Sequence, residues 1–160
     1  KLVIKMTFGN ELIGILKKEL DVIVELKELA LEKTDMIINN KIQDLDKTTR
    51  EEEKLVNSIG LLEKEREELL NTWGVATDTP ISIIIEKIPE DNSELINLKD
   101  RLTKEMEELS LRNKLNQDLI RENLDWIDFN MNLLTNIHGQ AGYGDKKNQS
   151  STSSIFDRKV

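Results

Sequence analysis

Apolar residues recur at steps of three and four along most of this chain, which is the periodicity of one buried stripe on an α-helix. The first stretch runs from about Phe8 to Ile38. Leu12, Leu16, Leu20, Ile23, Leu26, Ala30 and Ile37 mark its stripe, and Lys17, Lys18, Glu25 and Lys27 fall off it. Val22 and Val24 broaden the stripe, which predicts contacts on more than one side. Asn39-Asn40 is the expected break, because Asn favours helix ends over interiors; a capping box at Thr48 or Thr49 with Glu51 or Glu52 is the rival. A second helix is expected over 41–73, with Ile42, Leu45, Val56, Ile59, Leu62, Leu69 and Leu70 inward. The charge runs Arg50–Lys54 and Glu63–Glu68 read as its solvated face. Gly74 stops it.

Residues 75–79 read as a loop. Thr79-Pro80 then reads as an N-cap followed by proline at the first helical position, where a missing N–H costs nothing. A short helix over 80–88 follows, closed by Ile88-Pro89. The run Ile83–Ile85 suits a strand by propensity, yet a lone strand has nothing to pair with. Asp91, Asn92 and Ser93 are three candidate caps for the longest element, expected over 93–138 and extending roughly 65 Å. Its seam is Leu95, Leu98, Leu102, Met106, Leu109, Leu119 or Ile120, Leu124, Ile127, Met131, Leu134 and Ile137. So long an amphipathic helix needs partner helices along its length, which the two earlier helices supply by folding back. Trp126 and Phe129 fall off the seam, so the second half is apolar on surplus faces. Periodicity ends after Ile137. Residues 139–160 read as a flexible tail, with an apolar-tipped end from Ile155 to Val160.

The fold class expected is therefore all-α: an elongated antiparallel helical hairpin or coiled-coil-like bundle of three long helices plus one short one, a single domain over 1–138, with a disordered tail. Composition agrees, since the 160 residues are 38% apolar and 34% charged but only 4% aromatic, too little aromatic mass for a broad core. Residues 1–5 precede Met6 and lack an apolar segment of signal-peptide length; they read as a remnant or an alternative start and are assigned no function.

Charge and chemistry narrow the function by exclusion. The net charge is −8, from 31 acidic and 23 basic residues, and no basic stripe is present to follow a phosphate backbone. Nucleic acid is not an expected partner. No apolar run approaches membrane-spanning length, so membrane insertion is not expected either. There is no cysteine, which fits a reducing cytoplasm. A zinc site around the lone His138 would need three carboxylates, and a helix-end histidine is the plainer reading. Asp44-Leu45-Asp46 opens like a calcium loop, but Thr49 and Leu55 stand where glycine and an acid are required. Gly139, Gly142 and Gly144 neither follow a strand nor open a helix. Asn148-Gln149-Ser150 matches a glycosylation triplet with no sign of secretion. No convergent catalytic site is visible and neither enzyme activity nor a cofactor or metal is expected. Asn113, Asn116 and Asn123 step along one side of the long helix where leucine would be usual. A polar layer fixing helix register is the favoured reading; donors and acceptors for a bound chain are the alternative.

The segment Asn113-Lys114-Leu115-Asn116-Gln117-Asp118-Leu119-Ile120, continuing through Asn123-Leu124-Asp125-Trp126-Ile127 and Leu133-Leu134, resembles the last helix of the FlgN family of flagellar export chaperones. In that family, paired asparagines three apart precede an apolar helix end, a Tyr-Gly turn and a loose tail. Tyr143-Gly144 matches the turn, Ile155–Val160 resembles the closing Phe-Asp motif of the Gram-positive branch, and Leu62–Arg66 resembles the family's Leu-Glu-x-x-Arg. The resemblance covers about residues 8–160 in layout, with its distinctive residues in the last third and no match over 75–92.

The resemblance implies a cytoplasmic chaperone. Such a chaperone binds the disordered C-terminal segments of the hook–filament junction (hook-associated) proteins and delivers them to the cytoplasmic domain of the export gate. The residues themselves suggest where. Leu119, Ile120, Leu124, Ile127, Met131, Leu134 and Ile137 would form a groove with the first helix, with Trp126 and Phe129 as anchors. For the seam positions, packing within the hairpin is an equal alternative; for Trp126 and Phe129, binding is favoured. By the same resemblance Tyr143 is the export-gate contact. Ile155 and Phe156 are expected to fold back into the groove until a client displaces them. A dimeric coiled-coil adaptor, self-associating through the seam and without chaperone duty, is the alternative function.

Overall fold

The computed structural model describes residues 2–88 and 91–137, with side chains over 8–88 and 91–135. Three long helices and one short one follow in order: α1 (Leu2–Ile38), α2 (Ile42–Thr72), α3 (Ile81–Lys87) and α4 (Ser93–Ile137). No strand occurs among the described residues, and none of the helices is long and apolar enough to cross a membrane.

The helix ends are set by local chemistry. Asn40 takes a positive φ of 53° just past α1. The Lys41 N–H bonds the Met36 carbonyl at 2.9 Å and the Asn40 N–H bonds that of Ile37 at 3.3 Å, which together satisfy two of the last carbonyls. Gly74, with φ 70°, closes α2 in the same way, with Val75 reaching the Leu70 carbonyl at 2.8 Å. Pro80 is itself the N-cap of α3, with extended backbone (ψ 141°) and no side-chain cap, so Thr79 does not serve as expected. The Pro80 carbonyl accepts from Ile83 and Ile84 instead. Ile88 is extended because the following Pro89 disfavours helix there. Before α4, Asp91 accepts from the Ser93 N–H at 3.1 Å, and hydrogen bonding from the Ser93 hydroxyl, then from its N–H, holds the Asp91 carboxyl below the usual range.

α2 returns antiparallel to α1, as Phe8 against Trp73, Glu19 near Arg66 and Lys33 against Glu52 demonstrate. α4 runs parallel to α1: Lys17 pairs with Glu94, Lys27 with Glu105 and Glu108, and Thr34 with Asn116. α1 is thus the central rod. α2 and α4 each pack closely on it, and among the described residues their backbones stay apart from each other. This arrangement changes which seam positions are covered. Ile42 and Val56, expected inward, are exposed at 70% and 41%, and Met106 is exposed as well, because α2 does not cross to α4.

The packing changes character along the rod. At the α3 end the core is apolar: Leu12, Leu16 and Leu95 are at most 2% exposed, and Leu69, Leu70, Ile84, Ile85 and Leu98 surround them. Towards the other end polar side chains take over. Asn116 is buried, donating to the Ala30 carbonyl at 2.9 Å and accepting from the Thr34 hydroxyl at 2.6 Å. This is the register-fixing role expected of it, since any slip would strand both amide groups. Glu52, read from its charge run as solvated, is instead 1% exposed with Lys33 Nζ 3.0 Å away. Glu19 is also buried, and burial pushes its carboxyl above the ordinary glutamate range against the partial attraction of Arg66.

Candidate docking face at the end of the longest helix

α1 and α4 part company near Ile37. The amide of Asn123 reaches the Ile37 carbonyl at 3.5 Å, and α1 ends one residue later. α4 continues to Ile137, which at 1.5 Å per residue is about 20 Å of helix beyond its neighbour. Nothing in the α1–α2 turn is long enough to accompany it.

The sequence nevertheless stays apolar over that length. Leu119, Ile120 and Leu124 are half-buried where α1 still forms a wall. Beyond them Trp126 is 68% exposed, Phe129 61% and Met131 60%, with Ile127, Leu134 and Leu133 also open. The expected groove between α4 and α1 therefore reaches only to about Leu124. Past it, Ile127, Met131 and Leu134 lie on a free helix face. The Ile137 side chain, like His138, Tyr143, Ile155 and Phe156, lies outside the described residues.

The spacing contained a second row that the seam reading missed. Leu111, Leu115, Trp126, Phe129 and Leu133 recur at helical intervals, and Leu111 (70%) and Leu115 (42%) are exposed. Leu31 of α1 joins them in a shallow depression also bounded by Lys27, Glu108 and Arg112. There, Lys27 is raised above the ordinary lysine range by its hydrogen bonds to Glu105 and Glu108, and Glu108 is lowered by the same contact. Two apolar patches thus share one line of α4, Leu111 with Leu115 beside α1 and Trp126, Phe129 and Leu133 on the overhang, with Asp118 and Glu122 between them.

Helix α4 is continuous through this region, and two side chain-to-backbone bonds ride on it: Asn130 Nδ2 to the Trp126 carbonyl at 2.9 Å and Thr135 Oγ1 to that of Met131 at 2.5 Å. Of the three asparagines, Asn116 is committed to α1 and Asn123 reaches it loosely, so the polar layer serves the scaffold there. Among the described residues, no three His, Asp or Glu side chains are grouped to hold a metal ion. The geometry suits one task. An amphipathic segment laid along α4 could bury large, exposed aromatic and thioether side chains that this chain leaves uncovered.

A family model described as FlgN protein matches residues 6–151. No curated protein and no solved structure matches the chain.

Proposed function

This chain belongs to the FlgN family of flagellar export chaperones, and from that premise we propose that the overhanging end of α4 is where it holds its clients. Chaperones of this family serve flagellar hook-associated proteins and are not enzymes. The finer reading is that this protein acts in the cytoplasm on the disordered C-terminal segments of the hook–filament junction proteins. It keeps those segments unassembled and hands them to the cytoplasmic domain of the export gate, with Tyr143 as the gate contact.

One observation carries the reading: Trp126, Phe129 and Met131 stand 60–68% exposed on helix that no other part of the described chain accompanies. Exposed aromatics in a row are costly to leave wet and are the residue types that dominate binding energy when covered. A client segment folding to a helix there would bury its own leucines against them.

Titration with peptides from the last ~40 residues of junction proteins, long enough for one or two helices, tests this. Trp126→Ala with Phe129→Ala should weaken binding about 100-fold, the combined effect of two anchors of about 2 kcal/mol each without full additivity. Helicity and thermal midpoint should hardly move, because both side chains are already in water. Equal loss of binding and helicity would instead place the two residues in the core, and unchanged affinity would remove the face from the account. Self-docking of Ile155 and Phe156 on the same face makes a separate prediction: deleting residues 150–160 tightens client binding, and weaker or unchanged affinity counts against it.

A further inference from the structure

The overhang differs from the rest of α4 in charge as well as in covering. Between Glu122 and Ile137 the chain has three carboxylates, Glu122, Asp125 and Asp128, and no Lys or Arg. All three are exposed, and none is held in an ion pair among the described residues. Lower on the same helix the charges are mixed and partly matched, as at Lys27 with Glu105 and Glu108.

Their positions matter. At 100° per residue, Ile127, Met131 and Leu134 form one row and Trp126, Phe129 and Leu133 another, about 130° apart. Asp128 borders the first row on its outer side. Glu122 stands in line with the second row, one turn before Trp126, and Asp125 lies with Asp128 on the back between the two. A helix laid on the second row therefore meets Glu122 at its inner end and Asp125 along its flank, and one laid on the first row has Asp128 on its outer side.

Building on the docking reading above, we infer that this face selects its partner by charge. It takes an amphipathic helix whose apolar stripe is bordered by Lys or Arg, and it turns away acid-bordered helices and a second copy of this chain. Apolar burial supplies affinity without regard to sign. Rim charges supply the choice of partner and the speed of encounter, and they act through salt-sensitive attraction. Two copies paired along this face would set three carboxylates against three, with Arg121 at the inner end as the nearest cation on each helix.

The full chain would be titrated, by isothermal titration calorimetry, with two synthetic amphipathic peptides sharing one leucine stripe. One carries Lys and the other Glu at the bordering positions, and each is measured at about 50 mM and 500 mM salt, where screening is weak and strong. The Lys-bordered peptide should bind about tenfold tighter at low salt, the scale of three exposed ion pairs. That advantage should shrink several-fold at high salt and in the Glu122→Gln, Asp125→Asn, Asp128→Asn variant. Both peptides should be lost from Trp126→Ala, Phe129→Ala.

Equal affinity for the two peptides, with binding still lost from the aromatic variant, overturns charge selection and leaves the docking face standing. Tight binding of the Lys-bordered peptide that survives removal of Trp126 and Phe129 assigns the attraction to the acidic body and overturns both readings. A concentration-dependent dimer in sedimentation, dispersed by either peptide, gives the face to a second copy and likewise overturns the inference.

Discussion

Lys33→Met is expected to destabilise the protein by about 3–5 kcal/mol, because it leaves the Glu52 carboxylate buried without its partner. Glu52 is 1% exposed, and the Lys33 ammonium 3.0 Å away is the cation that compensates its burial. The pair itself is not a large source of stability, since desolvating two charges offsets most of their attraction. The double variant Lys33→Met, Glu52→Leu should therefore regain most of the loss, and it could match the wild type. Urea unfolding midpoints at unchanged slope report the difference. Equal destabilisation of the single and double variants would show that shape at this contact, rather than charge, determines its energetics.

Leu12→Ala is the second large effect expected, at about 3–5 kcal/mol. Leu12 is 0% exposed and sits among Phe8, Leu16, Leu69 and the α3 isoleucines. Its removal opens a cavity where three elements meet. Leu111→Ala on the same scale should stay within about 0.5 kcal/mol, since that side chain is already in water. The comparison separates core from docking surface by thermal melting alone. At temperatures below the lowered midpoint, Leu12→Ala should still bind client, because the overhang has no contact with the cavity.

Much of the fold was legible because a helical stripe is a property of spacing. α1 shows its stripe from Leu12 to Ile37, and Asn40 and Gly74 mark the ends through the positive φ that few other residues tolerate. The inward row of α2 was harder to read. It runs through Leu45, Thr48, Glu52, Leu62 and Leu69, and its polar members are admissible only because Met36 and Lys33 lie opposite. Nothing within α2 itself distinguishes Glu52 from its solvated neighbours. Ile42 and Val56 read as inward for the same reason, whereas Leu45, Leu62, Leu69 and Leu70 lie on the buried row as expected.

Direction was equally hidden. An amphipathic stripe has no sense, so the parallel course of α4 beside α1 follows from the return of α2 and the short α3, not from the pattern on α4. The surplus of apolar residues near Trp126 was visible in the spacing. Their lack of cover was not, because it depends on α1 ending at Ile38 while α4 runs on.

The change from leucine contacts to amides and ion pairs along the central rod also sets how the molecule breathes. Oily contacts open only at the expense of exposing hydrocarbon, whereas the links at Thr34, Asn116 and Lys33 can be lent briefly to water. Separation should begin at the end from which α4 projects and die out before it reaches Leu16 and Leu95. The tip can thus yield to an incoming chain while its root stays anchored.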